Sequence, residues 1–248
     1  LEGIDAAMML HPTNFNSAWT NNLAVQPLEM TFHGRTAQPA GSAHMGINAF
    51  EASVLAYTNI NACRQYFKPD HYAHGMVTES GPAPNIMSPR SKLRLHVRAP
   101  KDDQLEEFLG LIKRCGEAAA HVTGAEVEFD YYMKRYKDVI VNHVLGELME
   151  KNMKTLGLEV EPMAAHPRAS TDMGNVSYAV PAIHGYVSVG PGETVGNTHS
   201  PEFAPSTVAE EGRGALFNAA ASMALTVFDL FADPSLVEKA KREFSSRK

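Results

Sequence analysis

Residues 92 to 121 read K-L-R-L-H-V-R-A-P-K-D-D-Q-L-E-E-F-L-G-L-I-K-R-C-G-E-A-A-A-H. The first six residues alternate between polar and apolar, which predicts a half-buried strand over 92–97. Pro100 ends that strand, and apolar residues then recur at helical spacing. This predicts a helix over 103–121 that opens with a capping box of Asp103 and Glu106. Its predicted inner stripe consists of Leu105, Phe108, Leu109, Ile112, Cys115 and Ala119.

The pattern extends on both sides of this strand and helix. An alternating strand is predicted over 23–33, a helix over 47–66 and a strand over 72–78, and another strand over 125–132 follows the second helix. Residues 23–132 therefore have the order β-α-β-β-α-β. That order is typical of a split β-α-β, or ferredoxin-like, sandwich that folds as its own domain.

The flanking segments have the character of an α/β domain. A short apolar strand is predicted over 6–10, a helix over 141–156 that ends at Gly157, and strands over 158–161 and 182–189. A capping box of Thr207 and Glu210 predicts the start of a long apolar helix, and a last helix begins near Pro234. We expect 1–22 and 133–248 to form part of one α/β domain into which the sandwich of 23–132 is inserted.

Composition limits the classes of partner. The 248 residues carry 28 acidic and 22 basic side chains, a net charge of −6, without long blocks of either sign. This argues against nucleic acid or an anionic membrane as the main partner, and no apolar run approaches the roughly 20 residues of a membrane helix. Two cysteines and no signal-type leader favour the cytoplasm. The chain also opens without methionine and reads as though it were entered midway.

Two histidines occupy positions where an α/β fold presents ligands. His11 closes the first predicted strand, and His199 follows the glycine-rich turn 190–196. Strand ends and the loops after them commonly bind ligands, so both residues are candidate metal ligands; the alternative for each is a solvated loop histidine. The turn lacks the Lys-Ser/Thr of a phosphate loop, which excludes nucleotide binding there. Ser170 and Ser177 are not flanked as G-x-S-x-G, which disfavours a serine hydrolase.

Three further polar residues are candidates for substrate contacts. Arg98 ends a predicted strand, and Asn85 lies in the turn before that strand. Together they are candidates to clamp a carboxylate, with a surface arginine and a turn asparagine as the ordinary alternative. Gln38 is a candidate donor to a developing oxyanion, or an ordinary loop glutamine.

Taken in order, these motifs resemble one family. They are F-H-G-R-T-A-Q-P-A at 32–40, G-I-N-A-F-E-A at 46–52, P-N-I-M-S-P at 84–89, R-A-P at 98–100, S-T-D-M-G-N-V-S at 170–177 and T-H-S-P-E-F at 198–203. The chain resembles the co-catalytic metallopeptidases that include aminoacylase, carboxypeptidase G, auxin-conjugate amidohydrolases, p-aminobenzoyl-glutamate hydrolase and β-alanyl-lysine dipeptidase. The resemblance covers nearly the whole chain and corresponds to the C-terminal portion of the family.

The resemblance implies a role for each matching position. His11 and His199 correspond to metal ligands, with Zn²⁺ expected and Mn²⁺ or Co²⁺ as alternatives. Asn85 and Arg98 correspond to the pair that holds the substrate's carboxylate and nearby polar groups. The loop Ser170, Thr171 and Asp172 corresponds to a wall of the substrate pocket. The inserted domain corresponds to a lid that also dimerises and whose residues can serve the partner's active site.

The chain departs from the family pattern in two places. The family's remaining metal-binding motifs and its paired glutamates are expected upstream of Leu1. Gln38 stands where the family has a histidine that supports the oxyanion, and His44 is a candidate substitute. We therefore expect a cytoplasmic, homodimeric metal-dependent amidohydrolase or dipeptidase acting on an N-acyl amino acid or dipeptide-like substrate. The alternative is a truncated or degenerate homologue that acts as a dimerising, ligand-binding module without catalysis.

Overall fold

A computed structural model of the chain describes residues 1–162 and 169–247. These residues divide into two compact units. Unit 1 consists of Leu1–Asn22 and Asp138–Lys248, and unit 2 of Leu23–Lys137. The sequence placed the second boundary after residue 132, whereas unit 2 extends to Lys137 because Val25 and Tyr136 exchange backbone hydrogen bonds of 2.8 and 3.1 Å.

The described residues form six strands and nine α-helices, numbered here in chain order. The strands are β1 (Ala7–Thr13), β2 (Ala24–His33), β3 (Tyr72–Glu79), β4 (Arg90–Ala99), β5 (Glu126–Asp130) and β6 (Ala182–Ser188). The helices are α1 (Pro39–Ser42), α2 (Ala49–Cys63), α3 (Asp102–Thr123), α4 (His143–Thr155), α5 (Met173–Ser177), α6 (Gly192–Val195), α7 (Phe203–Ser206), α8 (Glu210–Ala232) and α9 (Pro234–Ser245).

Unit 2 is a four-stranded antiparallel sheet with two helices against one face. The strand order is β3-β4-β2-β5, and α2 and α3 both pack on the sheet. Alternate residues of β4 point toward the helices and are buried, whereas Lys92, Arg94 and Arg98 lie on the opposite face. All six residues of the predicted inner stripe of α3 are buried. We call the face without helices the open face of the sheet.

Unit 1 contains a smaller sheet. Strands β1 and β6 pair in parallel, with His11 opposite Tyr186. A core of buried side chains from β6, α4 and α9 lies against Met8 and Leu10 of β1. Helix α4 ends as predicted: Gly157 has φ 80, and the amide of Leu158 donates to the carbonyl of Met153 at 3.1 Å.

Helix α8 has the opposite burial pattern to an ordinary surface helix. Its buried residues are small or polar: Gly212, Ala215, Ser222 and Thr226. Phe217, Phe228 and Phe231, by contrast, are 75%, 67% and 81% exposed. Within the described ranges it is the one helix whose length and mean hydropathy match a membrane span, so the sequence-based statement that no apolar run approaches that length is wrong for this helix.

Four local predictions were wrong. No strand forms over 158–161; Leu158 and Val160 pack against the core of unit 1 as irregular chain. Neither capping box forms, since α3 begins after Lys101 and α8 begins after Ala209, each without a side-chain cap. The first strand continues through His11 to Thr13, because pairing with β6 persists as far as Ser188.

Candidate active site

His11 lies on β1 and carries a ring orientation suited to a metal ligand. Its Nδ1 lies 2.8 Å from the carbonyl oxygen of Pro12, and since a carbonyl only accepts, Nδ1 carries the proton. The lone pair is then on Nε2, which is the arrangement found when a backbone carbonyl fixes the tautomer of a ligating histidine. The ring is exposed and contacts Tyr186 edge-on, with centroids 5.8 Å apart.

His199 lies on the loop between α6 and α7, and that loop contacts the end of β1. The hydroxyl oxygens of Thr13 and Thr198 are 3.4 Å apart, and the Asn14 amide donates to the carbonyl of Gly196 at 3.4 Å. Thr13 and His11 point to the same side of β1 because side chains alternate along a strand. The fold therefore places the His199 loop beside the end of the strand that carries His11.

The conformation of the His199 loop depends on Gly196. This residue has φ 69, and a Cβ there would lie 2.4 Å from the Ser200 hydroxyl oxygen. His199 itself has φ 76, a region that non-glycine residues rarely occupy. These two positive-φ positions lie three residues apart in the loop, and the imidazole of His199 is exposed.

The polar segment Ser170–Thr171–Asp172 immediately precedes helix α5. The Met173 amide donates to the hydroxyl of Thr171 at 3.3 Å, and Asp172 immediately precedes α5. The hydroxyl of Ser170 is buried and makes no hydrogen bond within 1–162 and 169–247. A ligand or a water molecule is the usual partner of such a group.

His184 is a neighbour of His11 that the sequence analysis missed. It lies on β6, 3% exposed, with its ring centroid 6.1 Å from that of His11 and 5.0 Å from that of Tyr186. Burial, reinforced by His11 and opposed by Asp172, lowers the pKa of His184 to about 4, so its ring is neutral at pH 7. Neither ring nitrogen has a hydrogen-bond partner among the described residues. The available signal was a histidine inside an apolar strand run, which alone does not indicate a site.

The described residues do not form a complete metal centre. No group of three or more His, Cys, Asp or Glu side chains converges within residues 1–162 and 169–247. His11 and His199 have the donor chemistry of zinc ligands, but a zinc site needs at least three protein ligands.

Gln38 and Asn85 lie at the same end of unit 2. Gln38 is exposed immediately before α1, and Asn85 is exposed in the turn between β3 and β4. The two loops are joined by a 3.0 Å hydrogen bond from the Met87 amide to the carbonyl of Ala37. His44, the candidate substitute for Gln38, is exposed on a 3₁₀ turn of the same loop.

Arg98 lies at the opposite end of β4 from Asn85. The turn that holds Asn85 precedes Arg90, and eight strand residues of roughly 3.3 Å each separate Arg90 from Arg98, a distance of about 26 Å. One protomer therefore does not bring Asn85 and Arg98 to the same carboxylate. The predicted shared clamp is not formed within one chain.

Comparison with known proteins confirms the resemblance found in the motifs. The chain is 31% identical to the Xaa-Arg dipeptidase of Mus musculus over 99% of its own length and 57% of that protein. It is 24% identical to a p-aminobenzoyl-glutamate hydrolase chain of Escherichia coli, over 98% of its own length and 62% of that protein. The chain thus spans less than two thirds of the length of these curated relatives.

The fold is also shared with solved structures. An amidase of the hydantoinase/carbamoylase family from Burkholderia vietnamiensis superposes with a TM-score of 0.68, at 14% identity, covering 95% of this chain and 55% of that one. This likeness confirms the mixed α/β fold. No protein-family model matches the chain.

Proposed function

We propose that this chain is part of a metal-dependent amidohydrolase or dipeptidase that cleaves the amide bond of an N-acyl amino acid or dipeptide-like substrate. The observation that carries the proposal is the Thr13–Thr198 contact, which brings the His199 loop to the strand bearing His11. Similarity to an Xaa-Arg dipeptidase along 99% of the chain supports the same chemistry.

His11 and His199 would hold a divalent ion, Zn²⁺ first and Mn²⁺ or Co²⁺ as alternatives. Exposed imidazoles are suitable ligands for these ions, and the His11 tautomer leaves Nε2 available. When bound, such an ion supplies Lewis-acid polarisation of the amide carbonyl. The neutral ring of His184 lies next to His11, with ring centroids 6.1 Å apart.

The substrate-binding residues divide into two groups. Arg98 would bind the substrate's carboxylate, and Ser170, Thr171 and Asp172 would line the pocket. Gln38 would donate a hydrogen bond to the oxyanion, with Asn85 near it. Because Arg98 and Asn85 lie at opposite ends of β4, they reach one substrate only if two protomers contribute. We therefore propose a homodimer formed through unit 2.

The remaining expectations belong to the same proposal. The substrate is a small molecule, the protein is cytoplasmic, and neither nucleic acid nor membrane is the partner. Sedimentation velocity tests the homodimer, since a monomer of 27.0 kDa and a dimer separate well at this size.

Metal content tests the ligand assignment. Zinc is measured by mass spectrometry in the purified protein and in the variants His11→Ala and His199→Ala, with exposed His121→Ala on α3 as the matched control. Both ligand variants should lose bound zinc, and the control should retain it. Equal zinc in all four proteins would refute the assignment.

Hydrolysis is assayed with two probes, a dipeptide ending in arginine and p-aminobenzoyl-glutamate. Turnover of either, abolished by a chelator and restored by zinc, is the expected result. Saturable binding of both probes without turnover would instead favour the non-catalytic, ligand-binding alternative.

Arg98→Ala tests the carboxylate role. KM should rise strongly while zinc content stays unchanged, because the guanidinium contacts substrate and not metal. Arg90→Ala, on the same strand and face but paired with Glu79 at 3.2 Å, is the control and should leave KM unchanged. An unchanged KM in Arg98→Ala would remove the residue from the site.

A further inference from the structure

Arg98 belongs to a four-residue patch on the open face of the unit 2 sheet. Tyr72 pairs with Arg98 and His74 with His96 across β3 and β4. Because residues two apart on a strand share a face, these four side chains form a square on the side away from the helices. We call these four residues the histidine patch.

The members of the histidine patch are close enough to bind one ligand. The ring centroids of His74 and His96 are 5.8 Å apart, and the ring of Tyr132 lies 6.2 Å from that of His96. The Nε of Arg98 is buried and has no hydrogen-bond partner in the described part of the chain. An unsatisfied guanidinium nitrogen is costly and is normally paired with an acceptor.

The charge of the patch is not compensated, in contrast to the neighbouring part of β4. Lys92 and Arg94 both form ion pairs with the carboxylate of Glu29, which is 2.7 Å from Arg94. Within residues 1–162 and 169–247, no carboxylate is among the groups that shift the pKa of His74, His96 or Arg98. Asp70, the acid just before β3, accepts a 3.4 Å hydrogen bond from the hydroxyl of Tyr72.

The pKa values of His74, His96 and Arg98 are all lowered. Burial lowers the pKa of His74, and the charges of Arg98, His96 and Arg64 lower it further. Burial and Arg98 likewise lower the pKa of His96, and burial lowers that of Arg98. At pH 7 the patch therefore presents one guanidinium cation beside two neutral imidazoles, each with one N–H to donate.

This combination selects an anion. A pair of imidazoles can also chelate a divalent cation, but the fixed charge of Arg98 beside them opposes that. A carboxylate satisfies all three groups, since it accepts two hydrogen bonds from a guanidinium and has further lone pairs for the imidazoles.

We propose that His74 and His96 act with Arg98 as one carboxylate-binding subsite that recognises the carboxylate end of the substrate. The identity of the ligand as substrate rests on the proposed function; the anion site itself does not. The two histidines are then specificity-determining residues, which orient a carboxylate that Arg98 attracts.

The probe is sodium N-acetyl-L-alaninate, titrated against protein labelled with ¹⁵N in its histidine rings, with sodium chloride at equal ionic strength as reference. Saturable shifts of the His74 and His96 ring resonances are expected with the carboxylate and not with chloride. The double variant H74Q/H96Q should bind the probe about tenfold more weakly by calorimetry, and Arg98→Gln should abolish binding. His33→Gln is the matched control, because His33 lies on the same face but pairs with Glu128 at 3.2 Å.

Several outcomes would overturn the subsite. They are shifts that appear equally with chloride, wild-type affinity in the double variant, or preferential binding of Zn²⁺ at the two rings. Circular dichroism checks that each variant is folded. If the carboxylate binds as expected but neither dipeptide probe is hydrolysed, the proposed function fails while the subsite stands; hydrolysis without probe binding at the patch gives the reverse result.

Discussion

The two units differ in how they use their apolar residues. Unit 2 places its large side chains in one core, where Phe32, Leu28 and Leu109 are almost fully buried. Unit 1 divides its described core into two smaller clusters, and α8 turns its three phenylalanines outward. Stability in unit 2 therefore comes mainly from apolar burial, whereas the buried residues of α8 in unit 1 are small or polar and only Met223 and Leu230 add larger apolar contacts with the core of β6, α4 and α9.

The largest contrast is expected between two phenylalanines. Phe32→Ala in β2 removes a fully buried ring and should destabilise unit 2 by about 3–5 kcal/mol, because it loses burial and leaves a cavity. Phe217→Ala in α8, at 75% exposure, should change the free energy of unfolding by less than about 0.5 kcal/mol. Urea unfolding followed by circular dichroism measures both.

Alanine is a better helix former than phenylalanine, so helix propensity by itself should not make Phe217→Ala less stable. A loss above about 2 kcal/mol in Phe217→Ala would show that α8 is covered in solution and would remove the contrast between the units.

A substitution on the charged open face of unit 2 should cause the next largest loss of stability. Glu29 is buried beside Lys92 and Arg94, so Glu29→Gln should cost about 2 kcal/mol, reduced from a fully buried pair because Arg94 is partly exposed. Lys68–Glu107, an exposed pair at 2.7 Å in the same unit, is the control, and Glu107→Gln should cost much less than Glu29→Gln because solvent screens the pair.

The same carboxylate predicts a pH dependence. Burial alone would raise the pKa of Glu29, but hydrogen bonds from Lys92 and Arg94 outweigh it and lower the pKa. A lowered folded pKa means that the stabilisation is complete above the unfolded pKa of about 4.3 and is lost as pH falls through the folded value. Stability measured from pH 6 to pH 3 should fall less steeply in Glu29→Gln than in the wild type. Parallel curves would contradict this.

The difference between the two units also explains which structural features could be predicted from the sequence alone. In unit 2 the periods of β4 and α3 predicted the strand, the helix and its buried stripe, because alternation and helical spacing directly report which face is buried. In unit 1 the predicted strand over 158–161 failed, since Leu158 and Val160 find apolar partners without a neighbouring strand. A sequence pattern also does not give distances between residues in the fold. Asn85 and Arg98 were predicted to form one clamp, but the length of β4 separates them.

The polar contacts that hold α8 in unit 1 should give an intermediate effect. The Asn152 amide donates to the Thr226 hydroxyl and to the Asp229 carboxylate, both at 3.1 Å. Asn152→Ala should destabilise unit 1 by about 1–2 kcal/mol, because both acceptors lose a donor, although Asp229 keeps its ion pair with Lys151 at 3.3 Å. Hydrogen exchange of the amides of α8 provides a local measurement, and unchanged protection would argue against a polar interface.

The smallest effect concerns two glycines that both have a positive φ. Gly3 has φ 78 with open space around it, and Gly196 has φ 69 with the Ser200 hydroxyl in the way of any Cβ. Alanine is strained at either position because φ is positive, but only at Gly196 must the loop also move. Gly196→Ala should therefore weaken zinc binding through His199, whereas Gly3→Ala should leave zinc affinity unchanged. Equal zinc affinity in both variants would mean that the His199 loop tolerates displacement, and that its contact with β1 does not set the position of a metal ligand.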